Sequence, residues 1–406
     1  MQGRVADSPL LFCGMPMPSM ILRKGRDQRL KAGHPWIYAG EVERFRGEFQ
    51  DGDVIDVKDH RERPLACAHV NRQSQIVGRV LSLQREPVEG AFLRTRIADA
   101  IACRKRLGLD PGVGRVVYSE ADFLPGLIVD RYGGWLVAQI LTLGMDRWRG
   151  RIVEALRELF QPEGIYERSD MSVREHEGLP VAKGPLWGEM RDLPEVLLDG
   201  LRLRVDVVNG QKTGLFLDQR QNWALAGRYA QGARVLDAFC YTGGFALHAA
   251  KGGAASVLGL DISEDAVALA RSNAALNDLE GRCTFEAGNA FDRLRGLDSQ
   301  GERFDLVVLD PPSFTRSKGA VEGAVRGYKE INLRALKILN PGGVLITCSC
   351  SYHMSEEAFR AVINEAAQDA RRRVRLVEVR TQAPDHPILP AAKETQYLKC
   401  LALQVV

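Results

Sequence analysis

From about residue 200 onward, strand-like and helix-like segments alternate, and this pattern restricts the fold more than any other feature of the sequence. Apolar strands are predicted at 234–238, 256–260, 304–309 and 344–349. Helices are predicted at 244–250, 264–277, 328–339 and 355–370, the last with Ser355 as its N-cap. Two further strands are expected at 374–379 and 397–405. Such alternation is typical of an α/β domain built on a parallel sheet.

The residues before this segment follow other patterns and predict separate domains, since 406 residues exceed one ordinary compact domain. We expect a disordered leader at 1–19, a small β-rich domain at 20–88, a small α/β domain at 89–198 and the larger α/β domain at 199–406. The β-rich part has strand patterns at 54–57, 65–70 and 76–83. The small α/β part has helical spacing at 91–107 and 146–160, and strand patterns at 116–119, 127–130 and 136–141.

Composition and charge exclude several classes of function. No uncharged apolar run reaches the roughly 18 residues of a membrane helix, so we expect no membrane partner. The eight cysteines form no CxxC pair and do not cluster with histidines, which argues against a metal and favours a reducing, cytoplasmic location. Between Arg23 and Arg106 there are 18 Lys and Arg but 12 Asp and Glu, whereas the whole chain carries only +3. This excess suits a polyanionic partner, although an ordinary solvated surface would also explain it.

The segment DAFCYTGGF at 237–245 has the features of a cofactor loop, because it follows a strand and opens a helix. Gly243 and Gly244 let the backbone approach a ligand closely, and the helix N-terminus favours a negative group. The segment is not GxGxxG and no GKS/T follows, which weakens dinucleotide and triphosphate alternatives. Asp261 closes the next strand, where a carboxylate can accept both ribose hydroxyls. Asn289 after the third strand either binds adenine through its amide or occupies a turn.

Asp310-Pro311-Pro312-Ser313-Phe314 follows a later strand and presents a stiffened polar loop beside an aromatic ring. Such a loop suits a flat base lifted out of its stack. Asp310 could hydrogen-bond the exocyclic amine of cytosine, which would favour cytosine over uracil, or could serve as a base.

Thr347-Cys348-Ser349-Cys350-Ser351 ends the next strand and offers a nucleophile. A thiolate that adds to carbon 6 of a pyrimidine makes carbon 5 able to attack a sulfonium methyl group. Cys348 and Cys350 are two residues apart and point the same way in a strand, so both are candidates. If the strand ends before Ser349, only Cys350 reaches the site. The alternative to a catalytic role is that both are buried core cysteines.

Taken together, these motifs resemble those of the PUA-domain-containing 23S ribosomal RNA cytosine-5 methyltransferases, and the resemblance covers nearly the whole chain from about Met20. It also rests on LRKGR at 22–26, KAGHPWIY at 31–38, QKTGLFLDQR at 211–220, SCS at 349–351 and DHP at 385–387. The resemblance implies an α/β protein with a PUA domain, a linker domain and a Rossmann-like class I methyltransferase domain. It implies S-adenosyl-L-methionine as the cofactor and large-subunit ribosomal RNA as the partner, and it leaves a homodimer open.

The resemblance also implies roles for individual residues, with Cys350 as the nucleophile and Asp310 beside it. The segment containing Lys212, Thr213 and Asp218 is expected to line the cofactor pocket. The expected cofactor contacts are Asp237, Phe239, Tyr241, Thr242, Gly243, Gly244, Asp261, Asn289, Asp310, Gln219 and Arg220. The expected substrate contacts are Pro311, Pro312, Phe314, Lys24, Arg26, Arg29 and Lys31, with Arg44 and Arg46 near phosphates and His34 and Trp36 in the domain core or at the RNA.

One residue departs from the family pattern, one catalytic role is unassigned, and two other functions remain open. Asn289 stands where the family has a carboxylate. Asp-Pro-Pro lacks the adjacent cysteine of other RNA cytosine-5 methyltransferases, which fits this family but leaves the base that removes the carbon-5 proton unassigned. The sequence also assigns no role to Cys348. The first alternative is an RNA methyltransferase acting on guanine or on an exocyclic amine, which we expect to lack Cys350. The second is a non-catalytic RNA-binding assembly factor, which has no need for Asp237, Asp261, Asp310 and Cys350 together.

Overall fold

The computed structural model describes residues 17–84, 86–88, 90–109, 112–314 and 321–406. Most of the predicted leader, including Cys13, lies outside these ranges. The described residues form three successive units, each built on its own sheet, with a two-stranded hairpin between the second and the third. Within these ranges, no helix is both long enough and apolar enough to cross a lipid bilayer.

The first unit is a single six-stranded sheet. Its elements are β1 (Ser19–Leu22), α1 (Gln28–Lys31), β2 (Trp36–Tyr38), β3 (Val42–Arg46), β4 (Val54–Lys58), β5 (Pro64–Val70) and β6 (Ile76–Ser82). The strand order is β2-β6-β5-β4-β1-β3, and every pairing is antiparallel except that of β1 with β4. The ends of the strands predicted at 54–57, 65–70 and 76–83 lie within one residue of the ends of β4, β5 and β6.

The second unit surrounds a five-stranded sheet in the order β11-β10-β9-β8-β7. Its elements are α2 (Gly90–Arg106), β7 (Val113–Tyr118), β8 (Leu127–Tyr132), β9 (Trp135–Ile140), α3 (Leu143–Arg147), α4 (Arg149–Phe160), β10 (Gly164–Ser169) and β11 (Ala182–Trp187). The single helix predicted at 146–160 is wrong, because the chain turns out of the helix at Trp148. The buried Trp148 ring packs edge-on against His69 of β5, at 4.5 Å between ring centroids. Because of the break, Trp148 contacts the first unit while α4 packs on the second unit.

A hairpin of β12 (Glu195–Leu198) and β13 (Leu201–Arg204) links the second unit to the third. Its two turn residues, Asp199 and Gly200, both have positive φ, at 51° and 73°. An Asp-Gly pair between alternating apolar residues is a strong hairpin signal. The sequence therefore contained a signal for this hairpin that our prediction missed.

The third unit is a seven-stranded sheet covered by helices. Its elements are α5 (Arg220–Tyr229), β14 (Arg234–Ala238), α6 (Gly244–Lys251), β15 (Ser256–Asp261), α7 (Glu264–Ala275), β16 (Cys283–Ala287), α8 (Ala290–Ser299), β17 (Phe304–Leu309), α9 (Val321–Ile338), β18 (Leu339–Ser349), α10 (Glu356–Asp369), β19 (Val374–Arg380) and β20 (Lys399–Val405). The strand order is β16-β15-β14-β17-β18-β20-β19, parallel through β18. The predicted parallel α/β sheet is confirmed.

Two predicted boundaries in this unit are wrong, and the second lies at the Asn-Pro-Gly-Gly turn. Helix α9 begins at Val321 rather than at 328, and β18 begins at Leu339 rather than at 344. Leu339 pairs with Phe304 of β17, which brings the turn into the sheet. The predicted N-cap is confirmed, since Ser355 Oγ accepts a hydrogen bond from the Ala358 amide at 3.1 Å.

The central strands are mostly apolar because both faces of the sheet are buried. Val235 packs in the core on one face, together with Val257 and Val308. Its neighbour Leu236 packs in the core on the other face, together with Leu260. The chain runs outward from β14 to β15 and β16, then returns to β17 on the opposite side of β14. The loops that follow β14 and β17 therefore diverge and open a crevice at the carboxyl edge, where open α/β sheets bind ligands.

Candidate active site

A cavity of about 610 Å³ occupies this crevice, a volume typical of small-molecule sites. The predicted residues that line it are Gln219, Phe239, Tyr241, Thr242, Gly244, Asp261, Asn289, Asp310, Pro311, Pro312, Phe314 and Cys350, together with Lys212 and Asp218. Residues that the sequence did not single out also line it: Gln211, Leu215, Phe216, Trp223, Cys240, Phe245, Ile262, Ala290, Phe291, Ser313 and Leu398. The structure thus brings the loops after five parallel strands and the 211–219 segment into one site.

The loop after β14 is strained, and the neighbouring strand supports it. Phe239, Tyr241 and Gly243 have φ values of 70°, 49° and 90°, a left-handed conformation that side chains other than glycine rarely adopt. Asp261 Oδ2 accepts a hydrogen bond from the Tyr241 amide at 2.8 Å, and Asp261 Oδ1 accepts one from Ser263 at 3.0 Å. Asp261 therefore stabilises the loop as well as lining the cavity.

Two predicted contacts, Asp237 and Gly243, do not line the cavity. Asp237 is buried, and its Oδ2 accepts a hydrogen bond from the Ala246 amide in the first turn of α6 at 2.9 Å. Burial raises the pKa of its carboxyl group well above the usual value. Gly244 does line the cavity, and a Cβ there would meet the Trp223 ring at 2.5 Å. Asp237 and Gly243 therefore support the conformation of the loop after β14 without facing the cavity.

Aromatic and aliphatic side chains form the end of the cavity near β15 and β16. Ile262 is 75% exposed although it is aliphatic, and Phe291 contacts both Phe239 and Phe314 through its ring. Asn289 lines this end and caps α8, since its Oδ1 accepts a hydrogen bond from the Phe291 amide at 2.9 Å. Asn289 therefore occupies the turn before α8, which is one of the two roles predicted for it. Ile262 and Phe291 therefore offer apolar surface in the same cavity as the Asp261 carboxylate.

The segment at 211–219 forms the opposite wall, and Tyr241 fastens it. The Tyr241 hydroxyl accepts a hydrogen bond from the Gln211 amide at 2.8 Å and donates one to the Gly214 carbonyl at 3.1 Å. Within the segment, Lys212 Nζ lies 2.9 Å from the buried Asp218 carboxylate. The wall thus carries an ion pair that faces the cavity.

Arg220, at the end of the same segment, does not line the cavity. Its guanidinium group pairs with Asp199 of the hairpin turn at 2.6 Å. Arg220 therefore faces the hairpin turn in this structure, and its predicted cofactor contact stays a prediction. Sequence alone could not anticipate this, because Asp199 and Arg220 meet only after the hairpin has packed on α5.

The second unit holds the 211–219 wall through buried charges. Thr213 Oγ1 donates a hydrogen bond to Asp130 Oδ2 at 2.5 Å, and Asp130 also binds Arg115 through two bonds of 2.8 and 2.7 Å. The Arg115 amide in turn donates to Asp385 Oδ2 at 2.9 Å. We call Arg115, Asp130, Thr213 and Asp385 the buried latch. The latch links β7 and β8 of the second unit to Thr213, which precedes α5, and to Asp385, which lies between β19 and β20.

Thr213→Val should weaken cofactor binding, because it removes a hydrogen bond to the buried Asp130 carboxylate. We expect a stability loss of about 1.5–3 kcal/mol and, as the wall loosens, about tenfold weaker binding of the predicted cofactor S-adenosylmethionine. Calorimetric titration measures the affinity and thermal unfolding measures the stability. Thr284→Val, at an exposed position on β16, is the matched control and should change neither. Unchanged affinity in Thr213→Val would mean that the latch does not support the wall.

A chain of amide groups orients Gln219 toward Asp310. Arg380 Nε donates to Asn222 Oδ1 at 3.2 Å, and Asn222 Nδ2 donates to Gln219 Oε1 at 2.7 Å. The Gln219 amide nitrogen therefore faces Asp310 and donates to its Oδ1 at 2.8 Å. Because Arg380 can only donate, the direction of every bond in the chain is determined.

Asp310 and Cys350 line the same part of the cavity, and both have shifted pKa values. Burial, together with the Asp218 charge, raises the pKa of Asp310 to about 7, while Lys212 and the Gln219 hydrogen bond oppose the shift. Burial and the Asp310 charge raise the pKa of the Cys350 thiol. A carboxyl group that titrates near neutral pH can serve as an acceptor or as a base.

The structure distinguishes the two cysteines of the Thr-Cys-Ser-Cys-Ser segment. Cys348 is fully buried in β18 opposite Cys400 of β20, behind the cavity wall. Strand β18 ends at Ser349, and Cys350 lies in the loop beyond it and lines the cavity. The following Ser351 ties this loop to its neighbours, with its Oγ 3.0 Å from Ser313 Oγ and 2.9 Å from the Tyr328 hydroxyl.

The basic residues predicted at phosphates lie on the first unit, but several of them are paired. Arg44 and Arg46 share Glu62, Arg29 lies near Glu41, and Lys31 binds Asp27. Lys24 and Arg26 are exposed and have no ion pair among the described residues. They are therefore the most available cations of the predicted set.

His34 and Trp36 connect the first unit to the others. His34 is buried, with its Nε2 3.4 Å from Glu394 of the third unit. Trp36 Nε1 donates to Glu120 of the second unit at 2.8 Å. Both residues therefore form contacts between units.

The chain matches two family models and a set of curated relatives. A family described as S-adenosylmethionine-dependent methyltransferase matches residues 173–402, and a PUA-like domain matches residues 20–83. A Klebsiella pneumoniae (strain 342) protein named Ribosomal RNA large subunit methyltransferase I is 42% identical over 397 residues, 96% of this chain and 98% of its own length. A Tolumonas auensis protein with the same name is 42% identical over 395 residues, 96% of this chain and 99% of its own length.

Two solved structures share the fold across the whole chain. One, from Streptococcus mutans and described as a SAM-dependent methyltransferase, is 21% identical with a TM-score of 0.81. The other, described as a methyltransferase complexed with SAH, is 22% identical with a TM-score of 0.82. Each covers 96% of this chain and 100% of its own length, and at these identities the likeness shows the fold alone.

These matches confirm the predicted front domain, the methyltransferase fold and S-adenosyl-L-methionine as the cofactor. The cavity lies within residues 211–398, inside the matched methyltransferase segment. With 42% identity across 96% of its length to curated members, this protein belongs to the S-adenosylmethionine-dependent methyltransferases of the ribosomal RNA large subunit methyltransferase I family.

Proposed function

We propose that this protein methylates carbon 5 of a cytosine in large-subunit ribosomal RNA, with Cys350 as the nucleophile that adds to carbon 6. The observation that carries the proposal is the position of Cys350 in the loop beyond β18, where it shares a cavity wall with Asp310. The names of the curated relatives support ribosomal RNA of the large subunit as the substrate. The exposed Lys24 and Arg26 on the PUA-like unit support an RNA partner, because phosphate contacts position RNA without reading its sequence.

S-adenosylmethionine fits the residues present in the cavity. Asp261 would hold the ribose hydroxyls, and Ile262 and Phe291 would contact adenine. The loop at Tyr241 and Thr242 would hold the amino-acid part. When bound, this cofactor supplies an electrophilic methyl group on sulfur.

The residues at the other end of the cavity carry the chemistry on the base. The Cys350 thiolate forms a bond to carbon 6, and the electron pair of the 5,6 double bond makes carbon 5 nucleophilic. After carbon 5 has taken the methyl group, its proton must leave, and the electrons of that C–H bond re-form the double bond as Cys350 departs. Asp310, with a pKa of about 7, is our candidate acceptor for this proton.

Asp310 also supports the choice of cytosine over uracil. A carboxylate accepts a hydrogen bond from the exocyclic amine of cytosine, whereas uracil offers a carbonyl oxygen at that position. The Gln219 amide holds one Asp310 oxygen, which leaves the other for the base. Pro311, Pro312 and Phe314 line the same end and would contact the flat face of the ring.

The product of the reaction tests the proposal. The protein is incubated with large-subunit ribosomal RNA transcribed in vitro and with methyl-labelled S-adenosylmethionine, and the RNA is digested to nucleosides for mass analysis. We expect the label in 5-methylcytidine. Label on guanine or on an exocyclic amine would replace the proposal with the first alternative. Cofactor binding with no transfer to RNA, naked or in isolated ribosomal subunits, would favour an assembly factor.

A further inference from the structure

Lys399 of β20 is a cation that lies beside the Cys350 loop but does not line the cavity. Strand β20 runs antiparallel to β18, and Lys399 pairs in register with Ser349, the residue before Cys350. Lys399 Nζ donates to the Ser351 carbonyl at 2.7 Å and to the Tyr397 carbonyl at 2.8 Å. The ammonium group is therefore held between the backbone just after Cys350 and the backbone just before β20.

Both of these partners are neutral, so they orient the ammonium group without cancelling its charge. No carboxylate lies within ion-pair distance of Lys399 among the residues that the structure describes. An ammonium group has three donors, and the two carbonyls use two of them. Burial lowers the pKa of Lys399 to about 8, while the charges of Cys350 and Glu356 oppose this shift.

The other groups around Cys350 mostly disfavour its thiolate. Burial, Asp310 and Asp218 raise the pKa of the thiol, whereas Lys212 and a backbone hydrogen bond at Cys350 lower it. Lys212 already pairs with Asp218 at 2.9 Å, so its charge is shared with a carboxylate. Tyr328 also lies close enough to Cys350 to interact with its charge, but burial keeps this phenol neutral. A nucleophilic thiolate in this setting needs a further cation.

We propose that Lys399 is a positioning residue. Its ammonium group is hydrogen-bonded to the Ser351 and Tyr397 carbonyls and stabilises the Cys350 thiolate. The effect is electrostatic and transfers no proton: at neutral pH, below the Lys399 pKa of about 8, the ammonium group keeps its charge while the thiol proton leaves to solvent. This proposal rests on the proposed function only in taking Cys350 as the nucleophile.

Alkylation of Cys350 in the free protein tests this role without RNA or cofactor. The protein is treated with iodoacetamide from pH 6 to 10, and the labelled Cys350 peptide is quantified by mass spectrometry. We expect Lys399→Met to lower the alkylation rate at pH 7, where the wild-type ammonium group is charged, about tenfold and to move the midpoint of the pH profile upward. Lys399→Arg should keep the wild-type rate at pH 7. Lys251→Met removes a lysine that donates to the Asp199 carbonyl on the hairpin turn, and it should leave the midpoint unchanged.

An unchanged midpoint in Lys399→Met would overturn the proposal, and so would a slower rate with the same midpoint, because a merely structural role predicts either result. Thermal unfolding identifies a variant that fails to fold, in which case Lys399→Gln replaces it. A shifted midpoint in a protein that makes no 5-methylcytidine would leave the role of Lys399 standing and overturn the proposed function alone.

Discussion

Cys350→Ala should abolish methyl transfer to cytosine, with turnover lower than that of the wild type by about 10⁴-fold or more. The variant lacks the sulfur that adds to carbon 6, and without that addition carbon 5 is too weak a nucleophile to accept the methyl group. Many other residues form the cavity wall, so the affinity for S-adenosylmethionine should stay within about threefold. Single-turnover transfer of labelled methyl groups and calorimetric titration measure the two quantities.

Cys348→Ala is the matched control for this experiment. Cys348 is fully buried behind the wall, so its loss should lower stability and leave turnover within about tenfold of the wild type. RNA that carries 5-fluorocytosine adds a second test, since fluorine cannot leave carbon 5 as a proton does. Wild-type protein should remain covalently attached to such RNA, and Cys350→Ala should not. Full activity in Cys350→Ala would rule out the covalent route and favour methylation of an amine.

Asp310→Asn should lower turnover by about 10²–10⁴-fold while making the protein more stable above pH 7. The amide can still accept the hydrogen bond from Gln219, but it cannot take a proton from carbon 5. Burial raises the pKa of this carboxyl from 3.8 to about 7, so the fold disfavours its charged form. The asparagine variant has no such charge to bury.

The pH dependence of this gain follows from the direction of the shift. Because the pKa of the folded state exceeds that of the unfolded chain, the wild type loses stability as pH rises from about 4 to 7. The loss is complete above pH 7 and amounts to about 4 kcal/mol for a shift of this size. Unfolding midpoints of the two proteins should therefore nearly coincide at pH 4 and separate at pH 8. An Asp310→Asn protein that is less stable than the wild type at pH 8 would contradict this account.

Sequence patterns predicted the elements whose signal is local. The apolar segments at 234–238 and 304–309 match β14 and β17 residue for residue, because both faces of these strands are buried. The Ser355 cap and the loop at 237–244 depend on neighbouring residues and were likewise found. The break at Trp148 escaped prediction, and the residue that the Trp148 ring contacts, His69, is far away in the chain.

The composition of the site was harder to predict, because its walls come from elements that pair at long range. Cys350 and Cys348 look equivalent in a sequence, and only the end of β18 at Ser349 separates them. Arg220 directly follows Gln219 of the cavity wall, yet its side chain pairs with Asp199 of the hairpin. Lys399 gave no signal, since its importance arises from the register between β18 and β20.

The strand order has a consequence for how the chain matures during synthesis. Strand β20 follows β19 in the sequence but lies between β18 and β19 in the sheet. While the chain is being translated, β19 therefore emerges before the strand on which it must pair, and β18 is left with an open edge. The edge of β18 stays open until Leu398 and Lys399 have emerged, so Cys350 acquires its complete surroundings only after β20 has paired with β18.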